Sequence, residues 1–204
     1  IENYCIEKNI PITIQMVKVA EGNLENQARE ARYQAFQQNI KNNEILLLAH
    51  HQQDQAETLM LRLFSGAGVQ GLSAMKKIDL RVISSANSSE TKQIKIWRPF
   101  LDMSREQICQ WVEQLHIPYV EDPTNLDTHY DRAWCRQEVW PMLQARYPKM
   151  QQAISRSSAL MQDADEILQE VLQQDLQYCG NAEQLNLNIL QTLSVARQRQ
   201  LLSV

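Results

Sequence analysis

The sequence predicts an α/β domain built on a parallel sheet and followed by a helical domain, and three observations carry that expectation. Short β-rich runs alternate with amphipathic helical patterns in the first part of the chain, which is the rhythm of βαβ units. One run, Ile45-Leu46-Leu47-Leu48-Ala49, is short and continuously apolar, as a parallel strand covered on both faces is. From about Lys149 a helical period continues past Gln174 without an internal Gly or Pro. Pro141 and Pro148 flank the change of character, so the expected division is into residues 1–145 and 146–204.

Each element has its own signal. Ile10 to Val17 alternates loosely and is β-rich, which reads as a first strand. Gly22 breaks it, Asn23 caps a helix, and Leu24, Ala28, Ala31 and Ala35 give that helix an apolar stripe to about Asn39. The apolar run at Ile45 is the second strand. A helix follows at once, with Ala56, Leu59, Met60 and Leu63 as its buried stripe and Asp54 and Glu57 in an exposed first turn. Leu80 to Ile83 and Gln93 to Trp97 read as a hairpin whose tip is the polar stretch Ser84 to Thr91. Ser104 and Gln107 form a capping box, after which Ile108, Trp111, Val112 and Leu115 make the next stripe. Met150, Ile154, Met161, Ala164, Leu168 and Val171 mark a long helix, and Leu193 to Val204 begins another apolar-periodic segment. Glutamines are abundant on the predicted helix surfaces.

Composition narrows the function classes. With 204 residues, 44% of them hydrophobic and 22% charged, the chain can bury an ordinary core and is not intrinsically disordered. It has no apolar run long enough to span a bilayer and no export signal, so a soluble, cytoplasmic protein without a membrane partner is expected. The net charge of −4 carries no chain-wide announcement of a nucleic-acid partner, although a basic excess lies between His129 and Arg156. Cys5, Cys109, Cys135 and Cys179 contain no C-x-x-C pair, which disfavours a zinc ribbon or a redox pair.

The densest polar cluster runs from His50 to Thr58, at the carboxyl end of a predicted parallel strand, where open α/β sheets bind ligands. Asp54 and Glu57 share a helix face, and His50 sits just before them. Two carboxylates and an imidazole can hold a magnesium ion, bind an ammonium or steer a proton; the spacing leaves these open. It also leaves open a helix-capping role, or a metal-dependent hydrolase using His50, His51, Asp54 and Glu57. Gly66-Ala67-Gly68-Val69-Gln70-Gly71 matches G-x-G-x-x-G but follows a helix, so it is not a dinucleotide fingerprint. A helix-terminating turn or a phosphate-approaching loop remain as its two readings. Arg29 and Arg32 are neighbours on one helix, Arg98 ends a strand, and Arg132 and Arg136 share a helical spacing if Asp131 opens a helix; guanidinium groups so placed suit phosphate. Trp134 between the last two either stacks on a base or packs.

Taken in order along the chain, these segments resemble the tRNA(Ile)-lysidine synthetase family of the N-type ATP pyrophosphatases. The resemblance rests on Glu25-x-x-Ala28-Arg29-x-x-Arg32-Tyr33, Leu48-Ala49-His50-His51-x-x-Asp54-Gln55-x-Glu57-Thr58, Gly66-x-Gly68-x-x-Gly71-Leu72-x-x-Met75, Arg98-Pro99-Phe100-Leu101, Arg105, Glu121-Asp122-Pro123-Thr124-Asn125 and Arg132-x-x-x-Arg136, then Pro141. It implies a PP-loop domain of the adenine-nucleotide α-hydrolase-like fold over residues 1–145, and the start of a helical tRNA-binding domain over 146–204. The implied reaction is a carbon–nitrogen ligation. ATP activates the C2 oxygen of the wobble cytidine of tRNA(Ile) as an adenylate, and the side-chain amine of free L-lysine displaces AMP. By resemblance His50, Asp54 and Glu57 are catalytic, with Asp54 also a magnesium ligand. Arg29, Arg32, Arg98, Arg132 and Arg136 bind substrate, and Gly66 and Gly68 approach the ATP. Besides tRNA(Ile) and lysine, a homodimer is compatible with the family. The family's Ser-Gly-Gly-x-Asp-Ser loop does not occur in these residues. The chain therefore reads as an internal piece, inactive by itself, and a non-catalytic tRNA-binding fragment is the other reading.

Overall fold

The computed structural model describes residues 1–19, 24–41, 43–84, 91–120, 127–181 and 183–203, and these divide into two compact units. The first comprises Ile1–Leu48 and Lys77–Arg98, the second Ala49–Lys76 and Pro99–Val204.

In the first unit a short helix, α1 (Glu2–Glu7), precedes the predicted strand at Ile10 to Val17. That segment pairs with no strand among the described residues, and its apolar side chains, Met16 most of all, are exposed. Alternation gives a segment the capacity to be a strand, but a ladder needs a partner edge. The predicted helix forms as α2 (Leu24–Asn39). A three-stranded sheet then takes the order β1-β3-β2, from β1 (Ile45–Leu47), β2 (Ile78–Ser84) and β3 (Thr91–Trp97). The sheet is mixed and not the parallel one expected: β1 runs parallel to β3, with Leu46 opposite Ile96, while β2 and β3 form the antiparallel hairpin. Residues 85–90, the hairpin's predicted tip, lie outside the described residues.

One face of this sheet is a core. Tyr33 of α2 packs on Ile94 and Ile96, with Phe36, Ile40, Leu46 and Leu48 around them. Tyr33 meets Phe36 edge-on at 5.9 Å and carries the Arg81 guanidinium 3.9 Å from its ring centre. On the opposite face Ile45, Leu47, Ile78, Leu80, Val82 and Trp97 are exposed. The expectation that β1 is covered on both faces is therefore corrected. Its run of aliphatics reflects one partly buried position, Leu46, between two that are open.

The second unit is helical: α3 (Gln52–Phe64), α4 (Val69–Leu72), α5 (Arg105–Gln114), α6 (Asp131–Trp134), α7 (Trp140–Arg146), α8 (Met150–Cys179), α9 (Leu187–Leu190) and α10 (Val195–Leu201). Cys135–Val139 is a π-helical turn that continues α6 into α7. Ala56 and Met60 of α3 pack with Trp140 and Met150, backed by Val139, Leu143 and Ile154. A second cluster joins Cys179, Leu190 and Leu201 where α8 ends. α8 stops at Gly180, whose φ of 141° is open to glycine, and a Cβ there would come within 2.3 Å of the Gln184 carbonyl oxygen. Among the described residues no helix is long and apolar enough to cross a membrane.

α5 starts where its capping box places it. The Ser104 hydroxyl accepts the Gln107 N–H at 3.2 Å, and the Gln107 side chain accepts the Ser104 N–H at 3.0 Å. Its stripe is not buried as expected, since Trp111 and Leu115 are exposed. With so little packing to hold it, α5 depends on its cap. Ser104→Ala is expected to cost about 1 kcal/mol, read as a lower midpoint in urea; an unchanged midpoint would mean that the cap is redundant.

Candidate functional site

α3 is the centre of the site, and its first two turns are polar yet buried. Gln53, Asp54, Gln55, Glu57 and Thr58 are all withdrawn from solvent around Ala56. The expectation that Asp54 and Glu57 stand on an exposed turn is thus corrected: their side chains are 13% and 0% exposed. Two carboxylates leave water only when other groups replace the hydration. Here Arg136, from the π-helical turn, does so. Its Nε donates to Glu57 Oε1 at 2.6 Å, and its Nη2 donates to Glu57 Oε2 at 2.9 Å and to Asp54 Oδ1 at 3.1 Å. This is the forked, charge-assisted pairing for which a guanidinium is shaped. Gln53 adds an amide donor to Glu57 Oε1 at 3.0 Å.

Asp54 has a second task as the cap of its own helix. Its Oδ2 accepts the His51 N–H at 3.0 Å, and the His51 imidazole lies 3.6 Å from the same oxygen. Capping and site-building are therefore one arrangement, not rivals. The His51 imidazole is thus placed beside Asp54, and His50 is half-buried one residue earlier. α6 and the π-helical turn bring Arg132 in beside Arg136, with its Nη2 3.4 Å from the Thr58 hydroxyl. Asp131 does open a helix, and Arg136 leaves it within the π-helical turn, a distortion frequent at functional sites. Burial pushes the Cys135 thiol up, and the nearby Glu57 and Asp131 charges push the same way. Trp134 is 43% exposed, whereas Trp140 is the one that packs.

The glycine-rich stretch closes α3. Gly66 takes a φ of 75°, and the amides of Gly66 and Ala67 donate back to the Leu63 and Arg62 carbonyls. Gly68 caps the short α4. The Arg62 guanidinium ties the turn down through the Gly71 and Ala74 carbonyls at 2.8 and 3.1 Å. The other arginines expected at the site, Arg29, Arg32 and Arg98, belong to the first unit. Arg29 is exposed with its guanidinium 5.8 Å from the Tyr33 ring, Arg32 is exposed, and Arg98 is buried with Asp79 at 3.7 Å. The Glu121–Asn125 motif lies outside the described residues.

The acid pair already holds a nitrogen cation, which bears on what else it can hold. Among the described residues no three His, Cys, Asp or Glu side chains gather as a metal ion requires. His50, His51, Asp54 and Glu57 therefore do not gather into the metal centre that a hydrolase built on those four side chains needs. Sequence reasoning missed Gln53, Gln55, Ser158 and Gln162, having placed glutamines on helix surfaces. The signal was a helical turn, Gln53 to Thr58, with a single apolar residue yet set among buried elements.

The profile of the PP-loop domain family matches residues 1–143. A tRNA(Ile)-lysidine synthase of Acinetobacter baylyi is 62% identical over 203 residues, covering all of this chain and 42% of the relative. A Psychrobacter tRNA(Ile)-lysidine synthase is 40% identical over 74% of the chain and 32% of its own length. The protein of that name from Escherichia coli O157:H7 is 36% identical over 97% of the chain and 44% of its own length. The chain thus spans less than half the length of these curated relatives.

Proposed function

Because the chain belongs to the PP-loop domain family, we propose that the protein carrying it is a tRNA(Ile)-lysidine synthetase, an ATP-dependent carbon–nitrogen ligase. The observation that carries this reading is the buried carboxylate pair of α3, cross-linked by Arg136, on the very residues through which the sequence resembles that family. An acid pair that binds a guanidinium by N–H donation is suited to the ammonium of an amino acid. Asp54, whose side chain keeps some exposure to solvent where that of Glu57 has none, is the group that meets lysine, and Glu57 anchors Arg136.

The reaction follows in two steps. The C2 oxygen of the wobble cytidine attacks the α-phosphorus of ATP and pyrophosphate leaves. The lysine side-chain amine then attacks C2, the C2–O bond breaks and AMP departs. His50, an imidazole, is suited to take the proton that the amine loses. Arg132 is suited to the tRNA backbone and Arg136 to holding the acid pair beside it, Arg29 and Arg32 are suited to phosphate, and Arg98 braces the sheet. Gly66 and Gly68 approach the nucleotide through backbone. Magnesium enters as the counterion of the ATP polyphosphate. In this reading residues 1–145 belong to the catalytic domain, 146–204 begin the helical tRNA-binding domain, and the enzyme works in the cytoplasm, alone or as a homodimer.

The complete protein, incubated with unmodified tRNA(Ile), ATP and L-lysine, is expected to convert the wobble cytidine to lysidine. Digestion to nucleosides and mass spectrometry read the result. Cytidine left unchanged under those conditions, with a folded protein, would refute the assignment.

A further inference from the structure

The polar cluster behind α3 is as closely built as the acid pair in front of it. The Gln55 side-chain amide clasps the Met75 backbone, its Nε2 donating to the Met75 carbonyl at 2.9 Å and its Oε1 accepting the Met75 N–H at 2.9 Å. The same Nε2 donates to the Ser158 hydroxyl of α8 at 2.8 Å, and that hydroxyl donates to the Ser73 carbonyl at 2.8 Å. Gln162, one turn further along α8, donates to the Ser73 and Met75 carbonyls at 2.8 and 3.1 Å. Ser158 is fully buried and Gln55 4% exposed. Such a network is stable in one register only, because a slip of α8 along α3 would leave a buried amide unpaired. It also holds Ala74, whose φ of 52° is costly for a side chain with a Cβ.

We propose that Gln55, Ser158 and Gln162 are positioning residues, through which α8 fixes the register of α3 and hence the placement of Asp54 toward the substrate. The proposal rests on the reading that Asp54 meets lysine. Gln55 is the residue next to Asp54, so a small rotation or slide of α3 released by the loss of this link moves the carboxylate directly. None of the three side chains needs to touch substrate for this. Since α8 is the long helix of the unit, the link also makes Asp54 sensitive to where α8 is held.

The test uses Ser158→Ala and the milder Gln162→Met in the complete protein. KM for lysine is expected to rise about tenfold for Ser158→Ala, with KM for ATP and for tRNA within about twofold. By hydrogen–deuterium exchange the peptide over residues 50–58 should lose protection while α10 keeps its own. Gln162→Met should show the same selectivity, reduced, and it decides the matter if Ser158→Ala does not fold. An unchanged lysine KM with a lowered melting temperature, or loss of protection spread evenly over both regions, would overturn the proposal. If the unsubstituted protein forms no lysidine, the functional reading fails by itself, and the exchange arm still decides the positioning claim.

Discussion

Replacing Arg136 with alanine is expected to destabilise the protein by about 3–5 kcal/mol, the range seen when one partner of a buried ion pair is removed. The reason is Glu57. Its side chain is fully buried, and three of the hydrogen bonds that replace the acid pair's hydration there come from one guanidinium. Without it, Glu57 keeps the Gln53 amide as a donor but faces Asp54 with no cation between them. Arg136→Lys should recover part of the loss, since an ammonium restores the charge but not the fork. Urea denaturation monitored by circular dichroism measures both variants. A loss below about 1 kcal/mol for Arg136→Ala would mean that water, and not Arg136, satisfies the carboxylates in the folded state.

Asp54→Ala is expected to lower lysidine formation by about 10²–10³-fold, the cost of deleting one preorganised charged contact. It should leave a folded protein. The helix start loses one capping bond, worth about 1 kcal/mol, while Arg136 retains both of its bonds to Glu57. Near-normal turnover by the folded variant would remove Asp54 from the site. On the proposed reading the contrast between the variants separates two roles, Arg136 and Glu57 holding the structure and Asp54 meeting the substrate.

These residues show where the sequence was legible and where it was not. The capping box at Ser104 and Gln107 is local, its bonds span three residues, and it stands as read. The Asp54–Glu57 pairing on one helix face was legible for the same reason. Its burial was not, because the neutralising Arg136 lies 79 residues beyond Glu57, and no period or spacing encodes that encounter. The strand expected at Ile10 to Val17 failed in the opposite way. Its local signal is real, but strand formation depends on an edge supplied from elsewhere. Ser158 illustrates the same limit, since a serine in a long helix gives no sign that it is bonded to a glutamine 103 residues earlier.

The central claim is that Asp54, the outer member of the α3 acid pair, binds the amino-acid substrate and not the nucleotide. The most direct measurement is pyrophosphate release against lysidine formation in the complete Asp54→Ala protein, supplied with tRNA(Ile), ATP and lysine. The account predicts that pyrophosphate release in a first turnover survives while lysidine formation is lost. Loss of both together would place Asp54 at the nucleotide and contradict it.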